Sequence, residues 1–203
     1  MNKRVLTTLV LMWGIFSFLF SFASPPAGAV LVDLTGEDVK EALRYGRDNK
    51  DTGYLEFFKD WRVDLGYGTG SARVITPFSK IAFEAKHAAA GDEAVDSEVI
   101  DEILEKSRGK LAFGVSVYGE ARDFAQGARA VIVQKEKTIK PIESKTVMKA
   151  EPTDSWPNPP AYRAICYYYF DTKEVDPDGA ATLVVSLPGQ KDVEFKFDLS
   201  GVK

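Results

Sequence analysis

Hydrophobic and polar positions recur with two different periods along this chain, and the change falls near residue 109. Before it the steps are helical. Val39, Ala42, Leu43 and Gly46 share one face, with Thr35 and Asp38 placed ahead of them as a capping-box pair. Thr76-Pro77 predicts a second helix start, since threonine caps and proline at the first helical position forfeits no hydrogen bond; Phe78, Ile81, Ala82, Ala85 and Ala89 follow on one side, and Gly91 ends it. A further helix is expected from an Asp96 or Ser97 cap to Gly109, burying Val99, Ile100, Ile103 and Leu104. Between the first two, Tyr54, Phe57, Phe58 and Trp61 stand at i, i+3, i+4 and i+7, the core face of a short helix. Gly66, Gly68 and Gly70 would cradle a phosphate only if a helix began directly after them. Ser71–Ile75 reads as a strand instead, so the glycines predict a turn between strands.

After Gly109 the period is two. Leu111, Phe113, Val115 and Val117 alternate with Ala112, Gly114, Ser116 and Tyr118. Ala130–Val133, Glu143–Ala150 and Tyr162–Phe170 are further strand candidates, and Glu151–Pro160 is expected to be an extended connection. Leu183, Val185 and Leu187, a Pro188–Lys191 turn, then Val193, Phe195, Phe197 and Leu199 form a hairpin with one dry side. Its wet side carries Asp192, Glu194, Lys196 and Asp198. About six strand-like runs bounded by turns predict an α+β protein. Its helix-rich N-terminal part (30–108) packs on a C-terminal antiparallel β-sandwich-like part (109–203), the two forming one continuous domain.

The first residues follow another pattern. Lys3 and Arg4 precede Val5–Ala23, 19 residues without a charge. Ser24-Pro25-Pro26 then breaks any helix, and Ala27-Gly28-Ala29 offers small residues at −3 and −1 of a cleavage site. Residues 1–29 are therefore expected to be a signal peptide. An uncleaved anchor through residues 5–23 is the competing reading, because a spanning helix needs about 20 apolar residues. Either way, the remainder is expected to work outside the cytoplasm, in the periplasm or secreted, with a membrane contact only through an uncleaved N-terminal segment.

Composition narrows the chemistry. Of the 203 residues 45% are hydrophobic and 28% charged, the balance of a globular protein rather than a disordered tail. The net charge of −4, with no basic block, excludes nucleic acid as the main partner. One cysteine and one histidine cannot build a zinc site of those ligands. Cys166 reads as a buried apolar residue, and His87 points away from the apolar face of its helix. Two constellations remain. Asp171, Asp176 and Asp178 lie on an acidic loop before Gly179 that offers oxygen ligands to calcium, although Asp176-Pro-Asp-Gly179 is itself a strong turn. Trp156, Tyr162 and Tyr168 belong to an aromatic group suited to a binding surface. In β-alternation Tyr168 points with Tyr162 and Cys166, and Tyr167 and Tyr169 with Ile165; one set is expected to enter the sandwich core and the other to be covered by the N-terminal helices or offered to a partner.

The expected function is an exported, non-enzymatic binding or structural module of the cell envelope whose partner is an envelope protein or a glycan. A carboxylate-based envelope hydrolase and a calcium-stabilised structural module are the alternatives. Intact mass spectrometry of the exported product is expected to show a chain beginning after Ala29. A mass that retains the first 29 residues would establish the anchor.

Overall fold

The computed structural model describes residues 33–203. The expected signal peptide or anchor lies outside the described residues. Leu34 is partly buried against the core but belongs to no strand.

The N-terminal helices form where their caps are encoded. Helix α1 (Gly36–Asp48) opens on the predicted box: the Thr35 side chain accepts from the Asp38 amide, and the Asp38 carboxylate accepts from Thr35 N at 2.8 Å. Helix α2 (Tyr54–Phe57) is one turn, continued by a 3-10 turn at Lys59–Trp61. Phe57, Phe58 and Trp61 are buried, but Tyr54 stays 53% exposed. Helix α3 (Pro77–Ala90) is capped by Thr76 and Ser79 and buries Phe78, Ile81, Ala82 and Ala85. It packs on α1, and the closest approach is at Gly46, where a Cβ would come within 2.1 Å of the Ala82 carbonyl oxygen. Helix α4 (Ser97–Ser107) differs from expectation. Its Val99 is exposed, and Ile100, Ile103 and Leu104 are only partly buried, because α4 leans on α3 alone, at the rim of the core.

The ten strands divide between two antiparallel sheets. The larger has the order β1 (Arg62–Asp64), β2 (Ser71–Ile75), β3 (Lys110–Gly119), β8 (Tyr162–Asp171) and β6 (Glu143–Lys145), with β7 (Glu151–Pro152) also on the far side of β8. The smaller has the order β10 (Val193–Asp198), β9 (Ala180–Ser186), β4 (Arg129–Gln134) and β5 (Lys137–Ile139). Because β1 and β2 precede residue 109, the helix-rich and strand-rich stretches share a sheet. They also share one core. Leu111, Phe113, Val115 and Val117 of β3 join Ile132, Leu183, Val185, Phe195 and Phe197 of the smaller sheet in a single cluster, with Phe113 edge-on to Phe197 at 5.3 Å. The class is α+β, with four helices and two sheets.

Three segments depart from the sequence reading. The strand expected over 143–150 is realised only as β6, because the backbone beyond it bonds elsewhere: Ala150 N donates to Arg122 O at 2.7 Å, and Gln126 Nε2 to Met148 O at 2.9 Å. The stretch 151–160 is extended only at β7 and folded beyond it. Thr153 N donates to Ala161 O, Trp156 N to Thr153 O and Asn158 N to Ser155 O, which closes the segment on itself. Strand β5 was not expected. It pairs with β4 across Lys135-Glu136, where Lys135 takes the left-handed conformation with φ 54°.

The last described residues tie back to the helices. Leu199 and Val202 are buried, and the Lys203 carbonyl accepts from the Trp61 indole N–H and from the Thr76 hydroxyl at 2.8 Å. The Lys203 ammonium meets Glu41 at 2.7 Å.

Gly46→Ala is expected to lower stability. Alanine brings about 1 kcal/mol of helix propensity, but overpacking against a backbone oxygen costs roughly 1–3 kcal/mol and no rotamer relieves it. The net loss, up to about 2 kcal/mol on those figures, should appear as a lower urea midpoint; an unchanged midpoint would show that α1 withdraws from α3 without cost.

Candidate functional site

The predicted aromatic residues separate. Tyr168 is fully buried on the core face of β8, with no surface for a partner to touch. Burial pushes its phenol well above the ordinary value, and its hydroxyl has no hydrogen-bond partner among the described residues. Cys166, also fully buried on that face, has its thiol pushed up by the same desolvation. Trp156, 55% exposed, donates from Nε1 to the Tyr162 hydroxyl at 3.2 Å, so those two do come together. They sit on the folded 151–160 segment, which Tyr67 joins through its hydroxyl and Ser155 Oγ at 3.0 Å.

The acidic loop does not gather. Asp176 is engaged by Lys135 at 2.8 Å and by the Asp178 amide at 3.1 Å, while Asp171 accepts from the Lys173 amide at 2.9 Å. Among the described residues no three His, Cys, Asp or Glu side chains are placed to hold a metal. The loop has the hydrogen bonds of a turn, with Lys135 and two backbone amides occupying the oxygens a cation would need.

A cavity lies on the opposite face of the larger sheet. Every second residue of β2, β3 and β8 faces the core, so the intervening ones point outward and form a floor: Ser71 and Arg73, Gly114, Ser116 and Tyr118, then Arg163, Ile165 and Tyr167. Tyr54 and Leu55 of α2 make one wall, and Arg62 of β1 closes an edge. The enclosed volume is about 320 Å³, within the range of small-ligand sites. The face expected to lie under the helices or to be offered to a partner is thus walled at one side only; Ile165 is 41% and Tyr167 37% exposed. The reason is that α1 and α3 pack on each other, which leaves only the single turn of α2 to reach over the sheet.

Register explains the arrangement. Arg73, Gly114 and Tyr167 form one row across three strands, and Ser71, Ser116 and Ile165 form the next. Gly114 keeps the first row low. A Cβ there would lie 3.3 Å from the Tyr167 ring and 3.2 Å from Ile75 Cδ1, so the absent side chain lets the tyrosine lie across the strand. Hollows continue from the groove on either side of Tyr118, one toward Pro160 and Pro188 and one toward Tyr67 and Asp154.

The charges of the groove are unequal in their partners. Arg62 pairs with Asp64 at 2.7 Å, and that aspartate, held also by the Gly66 amide at 3.0 Å, has its pKa drawn below the ordinary value. Arg163 stands 3.9 Å from Glu151, both well exposed. Arg73 has no carboxylate. Its guanidinium stacks 4.0 Å from the Phe58 ring centroid and 5.8 Å from that of Tyr54, and burial lowers its pKa without removing the charge of an arginine at ordinary pH. No hydrogen-bond acceptor among the described residues takes any of its donors.

No histidine, thiol or carboxylate lines the groove, so Ser71 and Ser116 have no base beside them, and the paired carboxyls of a hydrolase are not assembled there. His87 is exposed on α3, edge-on to Phe83 at 4.4 Å, and takes no part in the groove. Sequence reasoning missed Arg73. The available signal was a cation in the middle of the apolar run Ala72-Arg73-Val74-Ile75, at a position whose alternation sends it away from the core. Neither a family model nor a curated protein matches the chain.

Tyr168→Phe is expected to leave stability unchanged or raise it by up to about 1–3 kcal/mol, since it deletes a buried hydroxyl without a partner. Urea unfolding checks this; a loss above roughly 1 kcal/mol would mean that the hydroxyl is satisfied in solution.

Proposed function

We propose that this chain is an exported, non-enzymatic binding module of the cell envelope, periplasmic or secreted, and that the groove on the larger sheet holds its partner. The apolar run Val5–Ala23 with Ala27-Gly28-Ala29 behind it supports export. The observation that carries the binding reading is Arg73, a cation left without an anionic partner on the floor of an open cavity. A half-buried charge is costly unless compensated, and a structural arginine at such a depth ordinarily finds a carboxylate. Glu84 lines a neighbouring hollow with Arg73, yet among the described residues no carboxylate comes within ion-pair distance of it, and none lines the groove itself. Stacking on Phe58 offsets part of the cost and seats the guanidinium, a donor fork facing space that a partner can fill.

Tyrosines around the fork strengthen the reading, because each presents a large rigid surface with a polar tip at small entropic cost. Co-sedimentation of the mature protein with envelope material of the producing cell tests it. The wild type is expected to sediment with that material, and Arg73→Met, which keeps an unbranched stem over Phe58, is expected to lose at least tenfold in affinity with an unchanged unfolding midpoint. Sedimentation that ignores Arg73 would remove the groove from the function.

A further inference from the structure

We propose that the occupant of the groove is an acidic saccharide, a glycan unit whose carboxylate is taken by Arg73; this rests on the binding reading above and names its ligand class. Three features select that chemistry.

The first is the anion. A guanidinium seated over the Phe58 ring, 4.0 Å from its centroid, carries parallel donors that match a planar carboxylate in bidentate fashion. The groove has no lysine and no glycine nest among its lining residues, and the helix whose first residues line it, α2, is a single turn with little dipole, so the apparatus that usually holds a phosphate dianion is missing. With Arg62 and Arg163 each beside a carboxylate of the chain, one free cation matches one negative charge per ligand unit.

The second is the floor. Ser71 and Ser116 are register partners, one row from Arg73 and Gly114, and their side chains make no hydrogen bond to any described residue. Two free hydroxyls next to an arginine can exchange hydrogen bonds with the ring hydroxyls of a sugar, each being both donor and acceptor. Tyr167, lying low across Gly114, and Tyr54 on the wall supply flat apolar faces for the C–H side of the ring.

The third excludes the obvious competitor. A peptide in a sheet-lined groove satisfies its backbone by adding to a free strand edge. Every strand of this floor is interior: β2 lies between β1 and β3, β3 between β2 and β8, and β8 between β3 and the pair β6 and β7. The unpaired stretches on their outer sides, Val74–Ile75 of β2 and Ala164–Cys166 of β8, are two and three residues long, too short for an added strand to pair along. A peptide laid here would bury backbone polar groups against side chains that cannot serve them all. A saccharide has no such requirement.

Isothermal titration calorimetry with trigalacturonate as the probe tests the assignment, with the neutral trisaccharide galactotriose and inorganic phosphate in parallel. The wild type is expected to bind trigalacturonate and to bind galactotriose at least tenfold more weakly. Arg73→Met and Arg73→Lys are expected to lose at least tenfold, the lysine because it cannot form the fork, and the exposed Arg129→Gln on the other sheet should bind as the wild type does. Should the Arg73 variants fail to fold, the wild type alone decides: affinity must fall as pH is lowered through the sugar carboxyl's titration while the protein stays folded. Equal affinity for the neutral sugar, or phosphate displacing trigalacturonate as the tighter ligand, overturns the proposal. Envelope binding that needs Arg73 without any trigalacturonate binding overturns the saccharide and spares the binding module; no Arg73-dependent binding in either assay overturns both.

Discussion

Ten consecutive residue pairs join β3 to β8, from Lys110 opposite Asp171 to Gly119 opposite Tyr162, and the two faces of the larger sheet depend on that register. On one side it stacks Phe113, Val115, Cys166 and Tyr168 into the core. On the other it aligns Gly114 with Tyr167 and Ser116 with Ile165. A slip of a single residue would exchange the two sets, placing Ser116 and Arg163 among the phenylalanines of the smaller sheet and exposing Phe113 and Val115. The packing energy of the core therefore also fixes which positions face the groove.

The helices contribute through one aromatic cluster rather than through broad coverage. Phe57, Phe58 and Phe83 lie within 6 Å of one another, and Tyr45 and Trp61 extend the cluster toward Phe78. Phe58 has two roles. One edge belongs to this cluster, and its face carries the Arg73 guanidinium. That makes the position of the cation a property of helix packing, set by α2 and not by the strand on which Arg73 sits. The gain of such a stack at a partly desolvated site is about 1–2 kcal/mol, too small to balance a buried ion alone but enough to favour one orientation of a mobile side chain.

Capping boxes, the glycine turn and the three long strands were legible in the sequence because each depends on neighbours a few residues away. Thr35 and Thr76 act on their own helices, and the alternation of β3 and β10 reads directly as dry and wet sides. What was not legible depends on distant partners. Tyr162, Tyr167 and Tyr168 look alike in composition, yet the sheets bury one and leave another open. The strand expected over 143–150 ended early because Arg122 and Gln126 claimed its backbone, and β5 formed through a Lys135-Glu136 turn that carries no glycine or asparagine to announce it. Arg73 was invisible as a site for the same reason. Its lack of a carboxylate is a fact about where thirty acidic side chains are not.

The junction of Lys203 with Trp61 and Thr76 bears on the order in which the molecule can assemble. Those contacts span 142 and 127 residues, so the first half of the chain cannot close its aromatic cluster until the residues near 203 arrive. β1 and β2 likewise wait for β3. For the exported chain proposed above, such a delay is of use: the leading segment finds no complete resting place until the trailing one has passed through the conduit.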